Sequence, residues 1–126
     1  LNNPKTIFVS SFILGNNIIN LKKNGNSYIS CLGEINCSEY LKNTGIKSMS
    51  ISPKFISIKR SESGDAIVIS KEFLGEFLIY KVSINGNILR VRTDINNLLN
   101  NGDKCSLSIN KNSYYFLYPG AYKEYI

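Results

Sequence analysis

FLIYKVSINGNILRVRT, residues 77–93, reads as two strands around one turn. Leu78, Tyr80, Val82 and Ile84 alternate with Ile79, Lys81 and Ser83; beyond the turn, Leu89, Val91 and Thr93 alternate with Arg90 and Arg92. A period of two sends successive side chains to opposite faces, so each strand offers one apolar face to a core. Between the strands, Asn85-Gly86 suits a tight hairpin turn, whose two central residues both need positive φ. This stretch predicts an antiparallel hairpin, and most of the chain repeats its grammar.

Just upstream, KEFLGEFLIY (71–80) sets Gly75 between two apolar runs. A glycine inside a strand weakens it unless it serves a bend, so Gly75 is expected to kink or bulge the strand at a barrel corner, with Glu72 and Glu76 outside. AIVIS (66–70) leads into it. Residues 16–23 and 27–32 flank Asn24-Gly25, a second hairpin signal. Met49, Ile51, Phe55, Ile56 and Ile58 surround Pro53, which is expected at a strand edge or a kink. Residues 105–109 and 114–118 supply two last strands. The stretch 33–45 is the least regular, with one helical turn possible over 38–42. PKTIFVSSFILG (4–15) reads as a short helix: Pro4 suits its first turn, Gly15 the position past its end, and Phe8 and Phe12 lie one turn apart. The fold class is therefore mainly β: a small antiparallel β-barrel or sandwich with a short N-terminal helix.

At 126 residues the chain fits one domain, with no low-complexity tract and no composition shift to mark a second. No apolar run approaches membrane-span length, and no basic segment precedes an apolar core as in a secretory signal. A first residue Leu1 rather than Met leads us to expect a fragment of a longer protein. The charge of +6 comes from 15 basic and 9 acidic residues. Scattered lysines in an Asn- and Ile-rich chain fit the bias of an AT-rich genome, and a polyanion site is the alternative. Cys31, Cys37 and Cys105 lack CxxC spacing, and without any histidine a zinc site is not expected. Three reduced thiols and an intracellular setting follow.

Catalytic signals are sparse. Histidine, the commonest general base, is absent, and so is a GxxxxGK[ST] phosphate loop. Glu34 with Glu39, Glu62 with Asp65, and Glu72 with Glu76 are the clustered carboxylates, read as solvated surface. Ser61 to Asp65 reads as a polar loop. Tyr114, Tyr115, Phe116, Tyr118, Tyr122 and Tyr125 crowd the C-terminus and suit core or interface packing more than base stacking. No catalytic, cofactor or metal residues are expected.

In order, the helix PKTIFVSSFILGNN, a strand pair, ISPKFISIKR, AIVISKEFLGEFLIYKVSINGNILRVR and NGDKCSLSI resemble the C-terminal TOBE-type regulatory domain of ATP-binding subunits of bacterial ABC importers. The family's proline, Phe-Val-Ala, Phe-Ile-Gly and asparagine correspond to Pro4, Phe8, Val9, Phe12, Ile13, Gly15 and Asn16, with Leu14 inserted. Its Phe-Leu-Gly corresponds to Phe73, Leu74 and Gly75, and its Gly-Asp to Gly102 and Asp103. Where the family has Arg-Pro-Glu, this chain keeps Pro53 between Ser52 and Lys54.

The resemblance implies that residues 1–15 form a helix leading from a nucleotide-binding domain, where ATP and Mg would bind, and that residues 16–126 form an OB-like regulatory barrel. It further implies a homodimer, membrane permease partners, a cytoplasmic site at the membrane face, and no nucleic acid. Solute import would favour ferric iron, then polyamine or phosphonate. The alternatives are a free-standing OB-type nucleic-acid-binding module and a barrel that binds a small oxyanion or solute directly.

Overall fold

The stretch 77–93 folds as its alternation predicts. A computed structural model of the chain describes residues 15–35, 48–111 and 115–118. Ile84 and Asn87 pair in register across Asn85 and Gly86, both with positive φ (47° and 80°). That is the turn whose twist matches two antiparallel strands. Of the stretch 4–15, expected to be a helix ended at Gly15, only Gly15 is described; Pro4, Phe8 and Phe12 lie outside the described residues. So does the helical turn read over 38–42.

Eleven strands occur among the described residues, in chain order β1 (Asn17–Asn20), β2 (Lys22–Asn24), β3 (Ser27–Ser30), β4 (Gly33–Ile35), β5 (Ser48–Ile51), β6 (Ile56–Arg60), β7 (Ala66–Leu74), β8 (Phe77–Ile84), β9 (Asn87–Asp94), β10 (Lys104–Ile109) and β11 (Tyr115–Tyr118). The chain divides into two compact units, one of residues 1–51 with 114–126, the other of 52–113. All described pairings are antiparallel, and the sheets are not closed into a barrel.

The first unit contains two three-stranded sheets, ordered β1-β5-β11 and β2-β3-β4. All four residues of central β5 are buried, with Met49 and Ile51 alternating with Ser48 and Ser50. The segment 16–23 is not one strand. It breaks at Leu21, so that β1 pairs with β5 while β2 pairs with β3. Here the turn shifts by one residue from the sequence reading: Asn24 pairs with Ser27, which leaves Gly25-Asn26 as its centre.

The second unit is a five-stranded sheet ordered β6-β10-β7-β8-β9. Ile56, Ile58, Ala66, Val68, Leu78, Tyr80, Val82, Ile84, Leu89, Val91 and Cys105 are buried at alternate positions of its strands, as the period of two requires, and Ile79 is buried besides, between Leu78 and Tyr80. Pro53 ends the apolar run as a kink would: it opens a single 3-10 turn, Pro53–Phe55, closed by the Phe55 N–H on the Ser52 carbonyl at 3.0 Å. Proline fits there because that position has no ladder bond to donate.

Gly75 does not bulge the strand. Leu74 pairs with Phe77, so Gly75-Glu76 is a two-residue hairpin turn with Gly75 at φ 73°. Glu76 keeps a negative φ, so only the first central position needs glycine. The bulge lies at the other end of β7, where the register slips between Val68 and Ser70. Beyond the slip, Lys71 and Phe73 face the side occupied by Tyr80 and Leu78.

Candidate functional site

The two ends of the five-stranded sheet, β6 and β9, run near each other without a ladder between them. Asn97, in the loop after β9, spans this seam. Its Nδ2 donates to the Ile58 carbonyl of β6 and to Thr93 Oγ1 of β9, each at 3.1 Å. Its backbone carbonyl accepts the Tyr80 hydroxyl at 2.8 Å, and that hydroxyl in turn accepts the Leu99 N–H at 2.7 Å. Tyr80 is fully buried, so its hydroxyl needs partners, and the loop supplies both.

A cleft of about 480 Å³ lies along this seam. Its charged lining is Lys54, Glu76, Arg92 and Asp94, two cations and two carboxylates. Among the described residues no ion pair joins these four to one another. The Arg92 guanidinium sits 3.8 Å from the centroid of the Phe77 ring, which is diagonal to it on the same face of the hairpin. Stacking engages the face of the cation and leaves its in-plane N–H donors for other partners. Lys54 Nζ lies 5.2 Å from the Phe55 ring centroid. Asn110 lines the cleft and is held by bonds that include its N–H to the Phe55 carbonyl (2.9 Å), its Nδ2 to the Lys54 carbonyl (3.3 Å), and its Oδ1 accepting the Ser57 hydroxyl.

The residues singled out by sequence scatter. Asn16 donates from Nδ2 to Ser50 Oγ at 3.2 Å in the first unit, with Gly15 in the turn before it. In the second unit Pro53 and Gly75 each precede a cleft residue, Lys54 and Glu76. Leu74 and Phe73 are exposed rather than packed in the core. Gly102 and Asp103 hold β10 to β7: the Gly102 N–H donates to the Val68 carbonyl at 2.7 Å, and the Val68 N–H to the Asp103 carbonyl at 3.0 Å. The Asp103 carboxylate also accepts the Asn100 N–H (2.7 Å) and the Arg60 guanidinium (2.9 Å). These bonds, the backbone one foremost, hold its carboxyl below the ordinary value.

Cys31 and Cys105 are free thiols, and burial pushes both above the ordinary value, so they stay protonated at neutral pH. Among the described residues no group of three or more His, Cys, Asp or Glu side chains could hold a metal ion. No helix among them is long and apolar enough to cross a membrane.

Sequence reasoning missed Asn97, Asn110, Thr93 and Asp94. In an asparagine-rich chain nothing distinguishes Asn97 or Asn110 from asparagines that only make turns. Arg92 was legible as an outward residue of a hairpin, but the ring beneath it depends on register. No family model matches the chain, and no curated protein matches it either.

Proposed function

We propose that this chain is a non-catalytic regulatory and dimerisation domain of the ATP-binding subunit of an ABC importer. ATP and Mg would bind in a separate nucleotide-binding domain, the permease subunits would be engaged through the whole protein, and the site of action would be the cytoplasmic face of the membrane. Ferric iron leads among the solutes, followed by polyamine or phosphonate.

The observation that carries this reading is where the resembling motifs fall. Pro53 opens the turn into β6, Gly75 makes the β7–β8 turn, and Gly102-Asp103 pins the start of β10 to β7. These are the reversals that set the strand order of the second unit, so residues short in sequence specify a whole sheet. The near approach of β6 and β9 supports an OB-like curl in that sheet. The Lys54 departure from the family's Arg-Pro-Glu falls on the cleft.

The test is the genomic sequence upstream of Leu1, followed by purification of the whole product. A phosphate loop and ABC signature motif in frame, with ATP hydrolysis by a dimer, would support the reading. An upstream sequence without them overturns it.

A second reading, a nucleic-acid-binding module, is favoured by one observation. Ser70, Lys81 and Arg90 form a cross-strand row on the outer face of the sheet, with Arg92 on the same face one row away. Binding of oligo(dT) that weakens steeply with salt would support it, and no binding at low salt would remove it.

A further inference from the structure

We infer that the seam cleft is a binding site for a small zwitterion of amino-acid size. This goes beyond the importer reading and concerns ligand binding by this chain alone, so either can fail without the other.

The charge pattern points to the ligand class. Two cations, Lys54 and Arg92, and two carboxylates, Glu76 and Asp94, line one cleft and form no ion pair with one another. A ligand of one sign would meet as many repulsions as attractions there. A molecule bearing both an ammonium and a carboxylate can satisfy both kinds of group. At about 480 Å³ the cleft lies within the range of small-molecule sites and exceeds what a single ion needs.

Two features preorganise it. Arg92 is held flat against the Phe77 ring, so its planar fork of donors suits a carboxylate bidentately. Asn97 spends both Nδ2 hydrogens across the seam, on Ile58 and Thr93, which fixes its amide plane and leaves Oδ1 as an acceptor for an ammonium. Glu76 and Asp94 come together because Phe77 pairs with Asp94 and Glu76 precedes it. The anionic part of the cleft is thus at the open end of the β8–β9 hairpin, beside the β7–β8 turn.

The experiment is an NMR titration of the ¹⁵N-labelled 126-residue chain with L-glutamine, and with sodium sulfate and spermidine as probes of single sign. Saturable shifts of the Asn97 side-chain amide and Arg92 Nε with L-glutamine are expected. Binding should weaken about tenfold or more in Arg92→Lys, which keeps the charge but loses the fork, and likewise in Asp94→Asn. Backbone amide spectra report whether each variant keeps the hairpin, and one folded variant suffices. No saturable shift with L-glutamine, equal or tighter binding of sulfate or spermidine, or undiminished binding by a folded variant overturns the proposal.

Discussion

A methyl group on Gly64 would run into the backbone carbonyl of Cys105, and no side-chain motion relieves that overlap. Gly64 is pinned there, its N–H donating to the Ser61 carbonyl at 3.0 Å. Gly64→Ala is therefore expected to destabilise the second unit by about 3 kcal/mol, the upper end of overpacking costs. Gly75→Ala meets open space and should lose only about 1–2 kcal/mol, through its positive φ. Urea denaturation of the two variants checks the order. The sequence does not distinguish the two roles: Gly75 stands between apolar runs and draws attention, while Gly64 sits in a polar loop and draws none. Asp103 gives a pH prediction at the same scale. Its folded carboxyl lies below the ordinary value, so its stabilisation is present above the unfolded value and is lost as pH falls through the folded one. Asp103→Asn should be less stable than the parent at pH 7, and the difference should shrink as pH drops below about 4. Thermal melts across that range would show it; a difference independent of pH would mean that the carboxylate's ionisation plays no part.

At the scale of elements, hairpins were legible where the turn residues dictate φ at both central positions. Asn85-Gly86 is such a case, and its register followed from alternation alone. Asn24-Gly25 gave the hairpin but not its register, because glycine can also take the first central position and shift the pairing by one. The strand order β6-β10-β7-β8-β9 was not legible, since β10 enters between β6 and β7 through contacts distant in sequence. The seam between β6 and β9 was not legible for the same reason. It is closed by side chains rather than a ladder, and Tyr80 anchors the loop that closes it. Tyr80→Phe removes the donor to Asn97 and leaves the buried Leu99 N–H without its acceptor. The expected loss is about 1–3 kcal/mol, dominated by that orphaned donor. Asn97→Ala should cost less in stability but should raise hydrogen exchange along β6, whose Ile58 carbonyl loses its cross-seam partner. Equal exchange in parent and variant would mean that Asn97 does not hold the seam.

Over the whole molecule, the chain leaves the first unit after Ile51 and returns to pair Tyr115 with that same residue. The second unit is thus an insertion whose entry and exit meet at one register position, an arrangement that lets an inserted segment open by itself. The cysteines allow a test. Cys105 lies fully buried in β10, between β6 and β7, while Cys31 is half-buried in the turn between β3 and β4. Burial holds both thiols above the ordinary value, and Cys105, being fully buried, must be uncovered before a reagent reaches it. In a Cys37→Ser background, thiol labelling at pH 8 follows the two sites separately. Tyr80→Phe weakens bonds that lie within residues 80–99 of the second unit. Labelling of Cys105 should accelerate about tenfold for each 1.4 kcal/mol lost, while Cys31 keeps its parental rate. Acceleration of both by the same factor would mean that the two units open as one, and the insertion would then be a feature of the chain path without energetic consequence.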